Sequence, residues 1–288
     1  MTILVDKNTR LIVHGITGRE GSRQTRTMMD YGTRVVAGIV PGKGGQTFEG
    51  IPVFNTAREA LAQTDGNTSI FFVPKAFVLN AAVEAIEAEV PLIVCLAEGV
   101  PVHDVLKIKK HQKKSASIFI GPNTPGLISP GVVKVGGMPH KVYTPGSVGV
   151  VSRSGTLSYE MVNMLSASGI GQSTCVGIGG DRIPGFTFVD ALKLFKDDDQ
   201  TEMIVMIGEV GGIGEIEAAK YIKAHFNKPV FALIGGLNAP PGKKMGHAGA
   251  VVAGADTTAA AKMEALQKAG AFVADSPHAL RDAVRSAI

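Results

Sequence analysis

The 288-residue sequence predicts an α/β fold made of two domains of similar design. The chain is longer than one typical domain, and short apolar runs alternate with helical patterns along it. This alternation is typical of parallel sheets covered by helices. A stretch rich in proline and glycine, residues 123–147, interrupts it. We therefore predict domains at residues 1–122 and 148–288, joined by a linker at 123–147.

Five apolar runs define the sheet expected in the first domain. Because these runs are apolar on both faces, they are expected to lie between two layers of helices. One helix should begin in the glycine loop after the first strand, and others are expected at residues 56–64 and 78–89. The predicted strands are Arg10–Gly15, Thr33–Val40, Thr68–Pro74, Val90–Gly99 and Ala116–Pro122.

The second domain shows the same alternation after the linker. Its helical patterns fall at residues 156–169, 188–198, 214–226 and 257–270. The predicted strands are Val148–Gly155, Thr201–Gly212 and Lys228–Gly236.

Composition excludes several classes of protein. The net charge is only +4, and the basic residues are scattered, so nothing requires a nucleic-acid partner. No apolar run reaches the roughly 18 residues of a membrane span, and no signal-peptide pattern is present. Cys95 and Cys175 lie in apolar runs and are expected to be small buried hydrophobes. The sequence contains no Cys/His cluster with metal-ligand spacing, so we predict no metal site. We expect an intracellular protein, either cytoplasmic or in the mitochondrial matrix after removal of a transit peptide.

The first glycine loop, GITGREG at Gly15–Gly21, follows a strand and opens a helix. Backbone N–H groups at such a helix start can hold phosphate oxygens. After the second strand, where an NAD site would have an acidic residue, the sequence has Lys43. A lysine there favours coenzyme A or NADP; the alternative is an exposed turn lysine.

The segment at 236–245, GLNAPPGKKM, is not a nucleotide-binding P-loop. Five residues separate its glycines, and no Ser or Thr follows the lysine. If the reaction uses a nucleoside triphosphate, we expect another polypeptide to bind it.

Three strand ends of the second domain should converge on one site, because parallel strands share their carboxyl edge. Ser154, Gly155 and Thr156 follow the first strand, Glu209 ends the second, and His247 comes after the third. This set offers a nucleophile in His247, a carboxylate in Glu209 that can fix its tautomer, and a helix start that can hold a phosphoryl group. The alternative is a loop histidine in a glycine turn.

His14 is the one other histidine expected near a ligand loop. We interpret the rest as structural or surface residues: His103, His111, His140, His225 and His278.

Several motifs, in this order, resemble those of succinyl-CoA synthetase (succinate–CoA ligase) alpha subunits across essentially the whole chain. The resemblance implies a Rossmann-like CoA-binding domain followed by a flavodoxin-like α/β ligase domain. It also implies an alpha–beta hetero-oligomer that forms an acyl-CoA from a carboxylate, coenzyme A and a nucleoside triphosphate. The motifs are GITGREG, VPGKGG, GVPVHDVLKIKK, GPNTPG, VSRSGTLSYE, GIGGDRIPG, IGEVGG and GHAGA.

The resemblance also implies residue roles. His247 would carry phosphate, oriented by Glu209, with Ser154–Thr156 holding the phosphoryl group, and Tyr159 would meet the substrate at the beta interface. ATP or GTP, with Mg²⁺, would bind to the beta subunit. The residues implied to bind coenzyme A are Thr17, Gly18, Arg19, Glu20, Lys43, Leu96, Ala97 and Glu98.

Three departures from the family pattern bear on the acid substrate. Asn123-Thr124-Pro125-Gly126 stands where Asn-Cys-Pro-Gly is usual. Ser22-Arg23-Gln24 replaces a run ending Phe-His, and Arg182 replaces a common proline, a feature shared with ATP-citrate lyase. The forked cation of Arg23 suits a second anionic group.

We therefore expect substrate contacts at Asn123, Thr124 and Arg23. Succinate is the first expectation for a small dianionic substrate, with malate, citrate or a sulfonated acid such as sulfoacetate as alternatives. The rival classes are a non-catalytic CoA-binding regulatory protein and an NADP-dependent oxidoreductase.

Overall fold

The computed structural model describes residues 2–288 and contains two seven-stranded sheets, each flanked by helices. In the first sheet the strand order is β3-β4-β2-β1-β5-β6-β7. All its pairs are parallel except the β3–β4 hairpin. The strands are β1 Leu11–His14, β2 Val35–Ile39, β3 Thr47–Phe48, β4 Ile51–Phe54, β5 Thr68–Phe71, β6 Leu92–Cys95 and β7 Ile118–Ile120; the helices are α1 Arg19–Asp30, α2 Ala57–Gln63, α3 Val78–Glu87 and α4 Val102–Gln112.

The second sheet has the order β14-β13-β12-β10-β11-β8-β9. Its strands β10 to β14 are parallel, whereas β8 and β9 are added antiparallel at one edge. The strands are β8 Gly126–Ser129, β9 Val133–Gly136, β10 Pro145–Ser152, β11 Gln172–Gly177, β12 Met203–Glu209, β13 Val230–Gly235 and β14 Phe272–Ala274; the helices are α5 Gly155–Ala167, α6 Phe188–Lys196, α7 Gly214–His225, α8 Ala259–Lys268 and α9 Pro277–Ser286.

The two strand orders confirm the predicted fold class. The order around β1 is that of a Rossmann-like sheet, and β11-β10-β12-β13-β14 is the flavodoxin-like order. In such sheets ligands bind outside the carboxyl ends of the strands, at the point where the strand order reverses. These points lie beside β1 in the first sheet and beside β10 in the second.

The predicted strands and helices form where the apolar pattern placed them. Strands β1, β6 and β12 are buried along their whole length, as the apolar runs require. Side-chain caps start several helices: Thr56 accepts a bond from the Glu59 N–H, and Ser276 accepts one from the Ala279 N–H. Besides β8 and β9, the sequence analysis did not predict the strands β3, β4, β11 and β14 or the helices α4 and α9.

The segment predicted as a linker forms structure. Its residues supply β8 and β9, which extend the second sheet through antiparallel pairing with β11. The glycines that indicated a linker allow the two strands to approach closely. Gly126 has φ +101°, and a Cβ there would lie 2.1 Å from the Val135 carbonyl oxygen. The remaining bounds of the two domains stay a prediction.

The β8–β9 hairpin joins the two halves by packing on α1 of the first. The Thr33 hydroxyl after α1 donates to the Lys134 carbonyl at 2.7 Å, and the Tyr31 hydroxyl accepts from the Gly131 N–H at 2.8 Å. One apolar cluster contains both Leu11 of the first sheet and Val151 of the second. The core is therefore continuous between the halves.

Both cysteines are free and buried, as predicted. Burial raises the pKa of the Cys95 thiol to about 12 and raises that of Cys175 as well. Among residues 2–288, no helix is long and apolar enough to cross a membrane.

Gly21 fixes how α1 leaves the first glycine loop. A Cβ at Gly21 would lie 2.1 Å from the Gly15 carbonyl oxygen, so the helix packs directly on the loop backbone. Gly15 itself has φ +78°, and a Cβ there would lie 2.5 Å from the Phe72 carbonyl oxygen. Only glycine meets both requirements.

We predict that Gly21→Ala destabilises the protein, although alanine ordinarily favours a helix. The free energy of unfolding, measured by chemical denaturation, should fall by about 1–3 kcal/mol because the added methyl group clashes with backbone. The control Ser22→Ala, on the neighbouring and less buried position, should change it by less than about 0.5 kcal/mol. A stabilised Gly21→Ala variant would show that the loop adjusts freely.

Candidate functional site

The three strand ends of the second sheet do meet. His247 Nδ1 lies 2.8 Å from Glu209 Oε2, and Glu209 is the last residue of β12. The His247 side chain keeps 30% of its surface exposed, whereas that of Glu209 keeps 12%. A carboxylate at Nδ1 favours the tautomer that carries its proton there, which leaves Nε2 unprotonated.

The small residues around His247 allow close contact between loops. A Cβ on Gly180 would lie 2.3 Å from His247 Cγ, so the imidazole packs directly on that backbone. A Cβ on Gly211 would lie 1.9 Å from the Gly249 carbonyl oxygen. The loop is also tied down by the Gly249 N–H, which donates to the Gly180 carbonyl at 2.9 Å. Small residues are therefore required here, because larger side chains would prevent the loops from packing against His247.

Glu209 belongs to a group of four charged residues, and the other three lie behind its contact with His247. Arg153 lies 3.4 Å from the free Oε1 of Glu209 and 3.3 Å from Glu215 Oε1. The Lys262 ammonium donates to Glu215 Oε2 at 2.5 Å and to the carbonyls of Glu209 and Gly211 at 2.7 and 2.6 Å. The side chains of Glu215 and Lys262 are fully buried. We call Arg153, Glu209, Glu215 and Lys262 the buried charge cluster.

Glu209 raises the pKa of His247 above its ordinary value of 6.5 through the hydrogen bond to Nδ1. Partial burial lowers it, the Glu209 charge raises it, the Arg153 cation lowers it and the Glu98 carboxylate raises it. The hydrogen bond is the largest of these effects, so Glu209 controls the protonation of the ring.

The start of α5 forms another side of the site. Ser154 is the N-cap, and its hydroxyl accepts a bond from the Leu157 N–H at 3.3 Å. A Cβ on Gly155 would lie 3.4 Å from the Tyr159 hydroxyl, so this phenol lies beside the helix start. Burial raises the pKa of Tyr159, which keeps the phenol neutral. Thr156 is exposed.

The segment after β7 links the two predicted binding regions. Asn123 has φ +57°; its N–H donates to the Ala97 carbonyl at 3.0 Å, and its side-chain amide donates to Asp181 Oδ1 at 3.1 Å. Asp181 follows Gly180, on which His247 packs. The Thr124 hydroxyl is buried and donates to the Gly177 carbonyl. Asn123 therefore connects the two domains, whereas the Thr124 hydroxyl is bonded to a backbone carbonyl.

The predicted coenzyme A residues gather at the carboxyl edge of the first sheet. Lys43 Nζ donates to the Thr17 hydroxyl at 3.0 Å, which joins the two phosphate-binding candidates. Gly18 is the N-cap of α1 and has no side-chain cap, so the first N–H groups of the helix are free for a ligand. Arg23 forms an exposed ion pair with Glu20 at 2.6 Å. Leu96, Ala97 and Glu98 follow β6 on the same edge.

A cavity of about 360 Å³ lies between the first domain and the His247 loop. Its lining includes Gly99 and Val102 from one side and Lys244 and Ala248 from the other. Arg182 also lines it and donates from Nε to the Ala248 carbonyl at 3.1 Å. The edges of the two sheets therefore face a shared space.

His14 is not available for acid–base chemistry. Burial lowers the pKa of its imidazole to about 3, so the ring is neutral at physiological pH, and its Nε2 lies 3.3 Å from the Ser69 hydroxyl. Sequence reasoning missed Arg153, Glu215 and Lys262. The only signal in the sequence was their position. Arg153 lies at the end of a predicted strand, and Glu215 and Lys262 lie in predicted helices.

Comparison with known families agrees with this arrangement. The CoA binding domain family model matches residues 6–99, and the CoA-ligase family model matches residues 151–272. A CoA-binding sheet followed by a ligase sheet with a loop histidine defines the class of CoA ligases.

Curated relatives narrow the class. The ADP-forming succinate–CoA ligase subunit alpha of Aquifex aeolicus is 52% identical over 99% of this chain and 94% of its own length. Subunit alpha 1 of the same enzyme from Archaeoglobus fulgidus is 53% identical over 96% of this chain and 94% of its own. The chain belongs to the family of succinate–CoA ligase alpha subunits.

A solved structure extends the comparison to a larger enzyme. An ATP citrate lyase variant from Methanosaeta concilii, in complex with (3S)-citryl-CoA, superposes with a TM-score of 0.90 at 28% identity. It covers 99% of this chain, whereas the chain spans about half (51%) of the length of that lyase.

We predict that Glu209→Gln lowers the pKa of His247. The neutral amide removes both the carboxylate hydrogen bond and its charge, while burial and the Arg153 cation remain and favour the neutral ring. An NMR titration of the His247 ring protons measures the change. Glu264→Gln, on an exposed residue of α8, should leave it unaltered, and an unchanged or raised pKa in Glu209→Gln would contradict the assignment.

Proposed function

We propose that this chain is the alpha subunit of an NDP-forming acid–CoA ligase in which His247 carries the phosphoryl group. The observation that carries the proposal is the 2.8 Å contact between His247 Nδ1 and Glu209 at the carboxyl edge of the second sheet. With Nδ1 held by the carboxylate, Nε2 is the ring nitrogen that can accept phosphorus. The names of the curated relatives support ADP as the product and succinate as the acid.

The proposed reaction consists of three group transfers. The Nε2 lone pair takes the terminal phosphoryl group of the nucleotide, and the nucleoside diphosphate leaves. A carboxylate oxygen of the acid then attacks phosphorus, and the N–P bond breaks to give an acyl phosphate. The sulfur of the coenzyme A thiol then bonds to the acyl carbon, the bond from that carbon to the phosphate oxygen breaks, and inorganic phosphate leaves with the thiol proton.

The residues of the second sheet would stabilise charge during the first two transfers. As Nε2 forms its bond to phosphorus, the ring gains positive charge, and the Glu209 carboxylate at Nδ1 compensates it. Ser154, Gly155 and Thr156 at the α5 start would present N–H and hydroxyl groups to the phosphoryl oxygens. Positioning and charge stabilisation are the main work here, because the reacting groups supply the bonds themselves.

The first sheet fits coenzyme A. The uncapped start of α1 at Gly18, together with the adjacent Lys43–Thr17 pair, presents N–H groups and a cation to phosphate. We assign coenzyme A binding to eight residues here. They are Thr17, Gly18, Arg19, Glu20, Lys43, Leu96, Ala97 and Glu98.

The acid would lie between the two sheets, beside Asn123 and Tyr159. In support of Asn123, its amide partner Asp181 lines the cavity between residues 99–102 and the His247 loop. In support of Tyr159, its hydroxyl lies beside the start of α5. Arg23 and Thr124 keep their proposed substrate roles only if their present partners release them, since Arg23 pairs with Glu20 and Thr124 with Gly177.

A beta subunit would complete the enzyme. The relatives are named as alpha subunits, and this sequence has no P-loop, so we assign ATP or GTP with Mg²⁺ to the partner. Leu237 and Met245, on the same loop as His247, are exposed large apolar side chains, which suits a surface that a partner covers. We propose an intracellular assembly, in the cytoplasm or, if a transit peptide has been removed, in the mitochondrial matrix.

We predict that His247→Asn abolishes phosphoryl transfer. The chain, mixed with its beta partner and ATP labelled at the terminal phosphate, should acquire acid-labile, base-stable label that the variant lacks, because asparagine offers no nucleophilic ring nitrogen. His111→Asn, on a partly exposed histidine outside the site, should label normally. Label that persists in His247→Asn would assign the nucleophile elsewhere, and an unlabelled wild type would favour a non-catalytic CoA-binding protein.

We predict that succinate is the preferred acid. Initial rates of acyl-CoA formation by alpha and beta together, with succinate, malate, citrate and sulfoacetate at equal concentration, measure the preference. The highest kcat/KM should belong to succinate, by about tenfold or more, since a missing or added polar contact in a built site commonly changes the rate by that amount. A higher kcat/KM for another acid would contradict the assignment of succinate.

A further inference from the structure

The buried charge cluster holds two cations and two carboxylates, and the proposed reaction uses only one of them directly. Glu209 contacts His247, whereas Glu215 and Lys262 are fully buried and touch no reacting group. Burial lowers the pKa of Lys262, and the Glu215 carboxylate opposes that effect. Such groups are costly to bury, so their presence behind a catalytic pair calls for a role.

The contacts of Glu215 and Lys262 converge on the backbone at the end of β12. The Glu209 N–H donates to Glu215 Oε1 at 3.2 Å, and the Glu209 carbonyl accepts from Lys262 Nζ at 2.7 Å. Lys262 also donates to the Gly211 carbonyl at 2.6 Å, and Arg153 donates to the same carbonyl at 2.7 Å. The peptide groups on both sides of the Glu209 side chain are therefore fixed by charged partners.

We propose that Glu215 and Lys262 are positioning residues that fix the Glu209 carboxylate against His247 Nδ1 and, by balancing the charge of the cluster, determine which ring nitrogen of His247 is protonated. The inference rests on the proposed function for its catalytic meaning. The protonation state of the His247 imidazole can be measured without any reaction.

Charged groups from every neighbouring element face His247, so the balance is specific. Glu209 comes from β12, Arg153 from the loop after β10, Glu98 from the loop after β6 and Asp181 from the loop after β11. Lys244 lies on the same loop as His247. Arg153 and Glu209 belong to the buried charge cluster and also face the ring. Glu215 and Lys262 are the two cluster members that can be substituted without removing a group that faces the ring.

The test removes the two buried charges singly and together. Glu215→Gln leaves two cations against one carboxylate and should lower the pKa of His247, whereas Lys262→Met leaves two carboxylates against one cation and should raise it. The expected size is roughly half a pH unit in each direction. The double variant Glu215→Gln/Lys262→Met is balanced, so the pKa should return close to that of the wild type.

The measurement is an NMR titration of the full chain with ¹⁵N-labelled histidine, in which His247→Asn identifies the signal. In the wild type Nδ1 should carry the proton at high pH. In the double variant the fraction protonated on Nε2 should rise, because the Glu209 backbone has lost the Lys262 ammonium and the charge of the Glu215 carboxylate. The matched control is the exposed Lys268–Glu264 pair of α8: Glu264→Gln, Lys268→Met and their combination should leave both observables unchanged.

A second readout uses the complete enzyme of alpha and beta subunits. The double variant should label His247 from ATP about tenfold to a hundredfold more slowly, while its affinity for coenzyme A stays that of the wild type, because a misplaced catalytic pair affects transfer and not binding at the first sheet. The double variant leaves no buried charge unpaired, so it tests the idea even if either single variant fails to fold.

Three outcomes would overturn the inference. One is a shift of the His247 pKa in the same direction in both single variants; another is a wild-type tautomer ratio in the double variant; the third is a wild-type labelling rate in that variant. Absence of label in every protein, the wild type included, would contradict the proposed function and leave the NMR result standing.

Discussion

A half-buried imidazole held by a carboxylate is the interaction on which this structure depends. The proposed role of His247 as a nucleophile requires one ring nitrogen to be occupied and the other to be free, and Glu209 at the end of β12 meets that condition. A carboxylate at this depth has to be compensated, and Arg153, Lys262 and Glu215 provide the opposite and balancing charges. Removing one partner of a buried pair commonly costs about 3–5 kcal/mol, so the cluster links folding of the second sheet to readiness of the site.

The two sheets bring their reactive edges together through one connection. The chain leaves β7, places Asn123 between Ala97 and Asp181, and then folds back as the β8–β9 hairpin against α1. This hairpin packs the halves together, and the segment after β6 and the His247 loop border the same cavity. A flexible linker would leave the distance between these two edges undefined.

Sequence reasoning predicted the fold class and the contact between His247 and Glu209, because strand ends of a parallel sheet share one edge. It could not predict the partners of Glu209. Lys262 lies in an alanine-rich helix and Glu215 on the first turn of α7, positions where a charged residue ordinarily faces solvent, and only the packing of α7 and α8 buries them. The same limit applies to β8 and β9, whose glycines indicate loops until the close approach at Gly126 is seen.

The tight backbone contact between Gly211 and Gly249 has a mechanical consequence for the loop that carries His247. Its base is pinned at Gly180 and by the bonds from Gly242 to Val252 and from Met245 to Ala250, each 2.9 Å long. With the backbone held, rotation of the His247 side chain can move the imidazole only within the reach of that side chain. If His247 carries a phosphoryl group as proposed, transfer over a longer distance requires either that these backbone hydrogen bonds break or that a partner polypeptide brings its nucleotide to the ring.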